Sequence, residues 1–296
     1  SSAGVTRQAP MSERLPLRPL TAAADFAAEV VNPDTHYLLS AEGLGELAAL
    51  WQRHGVLVLR GLPIDDERQL ALAVGLGTPA GGLFTSTNVD AQGRPLSDKH
   101  ALALLRLNWL WHQDGCYWPR PLAGLILHGI DVDPRYGHTL FADLRAAYRA
   151  LPHSLAVRLN RVSAWHSLEY LVTTQPLPPL DSHERASLPG ARHPLVSRSH
   201  AQVPTLMLSP PYMESLSGWT DSPPEALVKA LVRLATAPSR LYRHRWQKGD
   251  LLLCDNSCTM HRVAAYPVHR LPRSVRGVSL QSLHPRQRSA PSSEGR

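Results

Sequence analysis

Cysteine is scarce: Cys116, Cys254 and Cys258 are the only three in 296 residues. A small, odd number excludes a disulfide framework and points to a reducing compartment, so a cytoplasmic protein is expected. Long apolar runs are missing too. The longest are interrupted within about six residues, well short of the ~18 that a membrane span needs, so no membrane partner is expected. The opening SSAGVTRQAPMSERLPLRPL has no apolar stretch followed by a small-residue cleavage site, and no secretory signal is read there. Met11 reads as the natural start, which makes residues 1–10 a vector-derived remnant.

Charge of one sign is only mildly in excess. The net +7 comes from arginines scattered singly along the chain, with no basic stripe and no aromatic-basic interleaving. Direct binding to nucleic acid is therefore not expected, and an anionic small-molecule substrate or cosubstrate accounts for the excess equally well. No glycine-rich phosphate loop and no regular βαβ alternation are present, which excludes Rossmann and P-loop readings. The 19 glycines and 26 prolines follow no fixed period, and heptads and internal repeats are absent, so collagen and coiled coil are excluded. What is present is a 43% hydrophobic composition, enough for a sizeable core, and a density of proline that favours many chain reversals.

The apolar pattern predicts helices over 41–54, 65–76, 143–151 and 223–237, the first ending at Gly55. Asp143 is the expected cap of the third. Strand-like runs are GVLVLRGL (55–62), two runs between 106 and 133 separated by a proline bend, VSAWHSLEYL (162–171), and several between Tyr242 and Leu283, with Asp255-Asn256 as a turn. Residues 77–98 and 172–194 read as long loops or lids. The tail 285–296 reads as disordered. Many short strands with few helices predict an α+β, mainly β fold: one domain over 11–284 with a double-stranded β-helix, or jelly-roll, core flanked by helices.

His112 and Asp114 stand two apart, so on an extended chain both project to one face and can reach a common ion. Alone such a pair is commonplace. His261, at the end of GDLLLCDNSCTMH, supplies a second imidazole, and Arg273 follows it. Two histidines and one carboxylate on one face of a metal suit non-haem Fe(II), and they also serve catalytic zinc. Cys254 and Cys258 lack a second cysteine pair and read as buried thiols. His128, His166, His193 and His244 read as surface or core groups rather than ligands.

Four segments in order, WHQDGCYWPRP (111–121), GHTLFADLRAAYRALP (137–152), HRWQKGDLLLCDNSCTMHR (244–262) and LPRSVRGVSL (271–280), resemble the taurine dioxygenase family of Fe(II)/2-oxoglutarate-dependent oxygenases. With GVLVLRGL they span most of residues 40–283. The resemblance implies that His112, Asp114 and His261 ligate Fe(II) and that 2-oxoglutarate and O₂ are cosubstrates. It implies further that Thr139 hydrogen-bonds a 2-oxoglutarate carboxylate and that Arg273 grips the distal one, with Arg276 as the alternative. A planar guanidinium suits that grip, since it offers a two-pronged match to a carboxylate. Oxidative decarboxylation to succinate and CO₂ would then drive hydroxylation or desaturation of a small organic substrate. Halogenating relatives replace the carboxylate ligand by a small residue, so Asp114 argues against chlorination.

Members that oxidise sulfonates or aryloxyacids carry an arginine where this chain has Gly277, which disfavours such substrates. The HxDGxY form of the metal motif, with Gly115 and Tyr117, resembles the isonitrile-forming amino-acid oxygenases and points to secondary metabolism. Asn108, Tyr117 and Trp118 are the candidate substrate contacts, with Trp111 as core. Two other readings remain at this stage: a zinc hydrolase built on the same three ligands, and a non-catalytic binding protein on an oxygenase scaffold. Homo-oligomer formation is compatible with the sequence.

Overall fold

The computed structural model describes residues 14–285. The expected remnant at 1–10 and all but the first residue of the expected disordered tail lie outside the described residues.

Two sheets enclose the centre of the molecule. The larger has eight strands, ordered Leu17–Pro19, Ala28–Val30, Val56–Leu59, Leu251–Asp255, Gly124–Asp131, Ser274–Leu283 and Gly77–Pro79, with Phe84–Thr87 also paired to Ser274–Leu283. All pairs are antiparallel except Ala28–Val30 with Val56–Leu59. The second sheet places Thr139–Asp143 between Leu241–His244 and Thr259–Val263. Alternation along each strand divides its side chains between two cores. Leu57 and Leu59 face outward to the helices Ala41–His54 and Asp66–Leu76, together with Leu47, Trp51, Leu72 and Leu76. Val56 and Val58 face inward, where they meet Leu125, Val275, Phe141 and Tyr242 from both sheets. A third core lies under the helix Pro224–Ala235, which packs Leu227 and Leu231 with Ala142 and Met260 on the outer side of the second sheet.

The predicted helix boundaries 41–54 and 65–76 match Ala41–His54 and Asp66–Leu76 because both ends carry strong local signals. The Ser40 hydroxyl accepts from Gly43 N at 3.1 Å, and Gly55, at φ 70°, ends the helix where a β-carbon would approach Cys258 Sγ to 3.2 Å. Asp143 caps Leu144–Arg149, as expected. No helix among the described residues is long and apolar enough to cross a membrane.

Four expectations need correction. The segment 77–98 is not one long loop: Gly77–Pro79 and Phe84–Thr87 add to an edge of the large sheet, a pairing that depends on a distant strand and leaves no local signal. In 172–194, Ser182–Ser187 is a helix with an Asp181/Glu184 capping box, and Ala191–Pro194 pairs with Ser163–His166. The run 162–171 is strand only to His166, after which Ser167 caps the helix Leu168–Thr174. The first β-type run after 106 is instead the end of the helix Lys99–Leu107, capped by Asp98, followed by an irregular turn.

Candidate metal centre

His261 lies on the edge strand Thr259–Val263 of the second sheet, opposite Phe141. The turn carrying His112 docks beside it through two main-chain hydrogen bonds: His112 N donates to His261 O at 3.1 Å, and His261 N donates to His112 O at 2.9 Å. Gly115, at φ 69°, then turns the chain away where a β-carbon would approach Leu122 N to 3.0 Å. The two-residue spacing therefore works at a single bridge and a turn rather than on a regular strand.

One ligand atom each from His112, Asp114 and His261 lies within 4.8 Å of the others. His112 Nε2 stands 3.6 Å from Asp114 Oδ1, and His261 Nε2 stands 3.3 Å from Asp114 Oδ2. His112 Nδ1 donates to Leu110 O at 2.7 Å, which leaves Nε2 as the free lone pair, the second-sphere arrangement common to metal-bound histidines. Burial alone would raise the Asp114 carboxyl, but the two adjacent imidazoles overcome it and hold the group at about 2. Burial also lowers His261, to about 4. Asp114 Oδ2 is buried with no hydrogen-bond donor. Burial opposes charge on His112, but the hydrogen bond and charge of Asp114 outweigh it and raise that imidazole. An ionised carboxylate oxygen and two imidazole nitrogens aimed at one point fit a divalent ion, which takes the place of the proton, and the mixed nitrogen and oxygen donors suit Fe(II).

The sequence reading missed the residue that fixes Asp114. Asn256 Oδ1 accepts from Asp114 N at 2.9 Å, while its Nδ2 donates to Asp114 O at 2.9 Å and to Leu122 O at 2.7 Å. Gln113 Nε2 donates to Asn256 O at 2.7 Å. The only signal in the sequence was the turn-forming Asp-Asn pair shortly before His261.

The open side of the triad faces a cavity of about 120 Å³, lined by Phe84, Ser86, Asn108, Leu125, Leu127, Thr139, Val263, Arg273 and Val275 beside the three candidate ligands. Arg273 is 5% exposed. Its Nε donates to Gly137 O at 2.8 Å and its Nη2 to Thr139 Oγ1 at 3.2 Å, and no carboxylate among the described residues pairs with it. Burial lowers it to about 10, so it stays charged at neutral pH. A buried, unpaired guanidinium is costly, and its cost is offset when an anion enters beside it.

Of the other candidates, Asn108 lines the cavity, but Tyr117 and Trp118 do not. Tyr117 packs against Trp118 and Tyr212, with ring centroids 5.2 and 5.5 Å away. Arg276 points away, because alternation sends Arg273 and Val275 inward and Arg276 outward, where it pairs with Asp66. Trp111 packs beneath Arg262 and against the third core, while Cys116, Cys254 and Cys258 are free, buried thiols.

This geometry coincides with similarity to known proteins. The model of the family described as "Taurine catabolism dioxygenase TauD, TfdA family" matches residues 16–279. The alpha-ketoglutarate-dependent 2,4-dichlorophenoxyacetate dioxygenase of Cupriavidus pinatubonensis is 29% identical over 272 residues, which cover 86% of this chain and 92% of that protein. Pentalenolactone F synthase of Streptomyces avermitilis is 26% identical, with 75% and 81% covered. The solved structure of AAD-2 in complex with Mn(II) and N-oxalylglycine superposes with a TM-score of 0.82 at 29% identity, covering 90% of this chain and 96% of that one. The chain belongs to the TauD, TfdA family. It is an Fe(II)/2-oxoglutarate-dependent dioxygenase.

Proposed function

We propose that His112, Asp114 and His261 hold Fe(II), that Arg273 and Thr139 hold 2-oxoglutarate, and that the two facing sheets form the jelly-roll core around them. The observation that carries this reading is the buried Arg273 guanidinium, unpaired, in the same small cavity as three convergent ligand atoms. When loaded, such a centre supplies C–H oxidation coupled to decarboxylation of 2-oxoglutarate into succinate and CO₂.

The protein's own contribution is placement. Arg273 is braced by Gly137 O and Thr139 Oγ1, so its remaining N–H groups are free for the distal carboxylate. The Thr139 oxygen already accepts from Trp246 Nε1 at 2.8 Å and from Arg273, which leaves its own proton to donate to a cosubstrate oxygen. Leu125, Leu127, Val263 and Val275 line the space between with apolar surface and keep water out. A zinc hydrolase would need a general base beyond the ligands, and Asp114 is the only carboxylate in the lining. The substrate is read as a small organic molecule undergoing hydroxylation or desaturation; the HxDGxY motif makes an amino-acid or isonitrile-like compound of secondary metabolism the narrower reading.

Succinate release from 2-oxoglutarate, measured under air with added Fe(II), tests the assignment. Arg273→Ala is expected to raise the KM for 2-oxoglutarate at least tenfold and that for the primary substrate far less, with Arg276→Ala close to unchanged. The reverse order would give the grip to Arg276, and hydrolysis with zinc in place of turnover with iron would replace the reading.

A further inference from the structure

Phe84 and Gly277 are direct partners across two antiparallel strands, and Leu127 is the partner of Gly277 on its other side. The three form one row across the inner face of the large sheet, and Phe84 and Leu127 line the cavity at the triad. The row is fitted together rather than merely adjacent. A β-carbon added at Gly277 would stand 2.3 Å from Phe84 Cζ, so the ring occupies the place any side chain at 277 would take. Phe84 is also 42% exposed, which sets it at the mouth of the cavity rather than in its floor.

The next row inward is Ser86 and Val275, and Arg273 lies beyond it. Arg273 and Asp114 are thus the only residues with a formal charge in the lining, apart from the histidines, and the function proposed above commits both. At about 120 Å³ the cavity falls below the ~300 Å³ at which drug-sized pockets begin, so one small diacid uses it and a second molecule must sit at the mouth. There it meets the Phe84 ring, with Ser86 in the next row inward, and neither is charged. An anion in that position would be desolvated without a partner.

We propose that Phe84, seated over Gly277, is the specificity-determining residue of this enzyme and selects an uncharged, predominantly apolar primary substrate. The inference rests on the function proposed above. Within that reading it selects the uncharged, isonitrile-like alternative over an amino acid, and it separates this chain from relatives whose names specify a phenoxyacetate, a phenoxypropionate or a sulfate ester.

Isothermal titration calorimetry on the full chain loaded with Mn(II) and N-oxalylglycine measures binding without turnover. The probes are methyl phenoxyacetate and methyl hexanoate, each against its parent acid. The esters are expected to bind at least tenfold more tightly than the acids. The double substitution Phe84→Ala with Gly277→Arg, which exchanges the ring for a cation, is expected to shift that ratio at least tenfold towards the acids. Acids bound equally or more tightly by the unsubstituted chain overturn the proposal, as does failure of both esters to bind or a double variant with the ratio unmoved. The Mn(II)-dependent binding of N-oxalylglycine is read first in the same experiment. Its absence strikes the reading of the site, whereas its presence without an ester preference strikes only this inference.

Discussion

Asp114 can act as a ligand only if its main chain stays where the two imidazoles can meet its carboxylate, and Asn256 is the group that keeps it there. One amide side chain satisfies both the N–H and the C=O of Asp114 and ties the turn to Leu122 as well. Asn256 is 2% exposed, so its three hydrogen bonds have no competition from water. Asn256→Ala is expected to weaken Mn(II) affinity about 10- to 100-fold, the range seen when partners of metal ligands are removed. A metal titration followed by intrinsic fluorescence checks this, and unchanged affinity with a lowered melting temperature would reduce Asn256 to a structural role. Among the individual residues, the convergence of His112, Asp114 and His261 could be expected from the sequence, because residue type and order carry it. Asn256 could not, since its role lies in a main-chain contact across 142 residues. Tyr117 and Trp118 show the converse: their nearness to the motif suggested substrate contact, whereas Gly115 turns them out of the cavity and into an aromatic cluster.

At the level of elements, the pair Asp143 and Arg145 joins helices that the chain separates widely. Asp143 Oδ1 caps Leu144–Arg149 by accepting from Arg145 N at 3.0 Å and also accepts from Arg145 Nε at 3.1 Å. The same guanidinium donates to Gln52 O, Arg53 O and Asp25 O, which satisfies carbonyls at the C-terminal end of Ala41–His54 and places a cation at the negative end of its dipole. Both side chains are almost wholly buried. Asp143→Ala would leave the arginine charged without its carboxylate and remove a cap, so a loss of about 3–5 kcal/mol in chemical denaturation is expected. Asp143→Asn should lose less, because the cap survives. The cap itself was legible beforehand, whereas the reach of Arg145 to a second helix was not. Phe84–Thr87 was missed for a similar reason: four uncharged residues in a polar stretch become a strand only because Ser274–Leu283 offers an edge to pair with.

Across the whole molecule, the cores between and outside the sheets bury histidines in neutral form. Burial lowers His54, His128, His193 and His244, and it lowers His166, with the neighbouring His193 adding to the effect, to about 4. A histidine depressed in the folded state is protonated first in the unfolded chain, so its contribution to stability is full above the unfolded value near 6.5 and is lost as pH falls towards the folded value. The free energy of unfolding should therefore decline from about pH 6.5 to about pH 4. His166→Phe is expected to flatten that decline by up to about 1.4 kcal/mol per pH unit, read from urea denaturation at a series of pH values. An unaltered slope would mean that His166 stays protonated in the core.

What the chain determined on its own were the helices Ala41–His54, Asp66–Leu76 and Leu144–Arg149, the alternating buried strands and the order of four motifs, all of which depend on residue type and short spacing. Which arginine faces the cavity, which aromatic residue stands at its mouth and which amide holds Asp114 were decided by strand register and by a turn docking against a distant strand. These choices rest on contacts between segments far apart in the chain, and short-range periodicity carries no record of them.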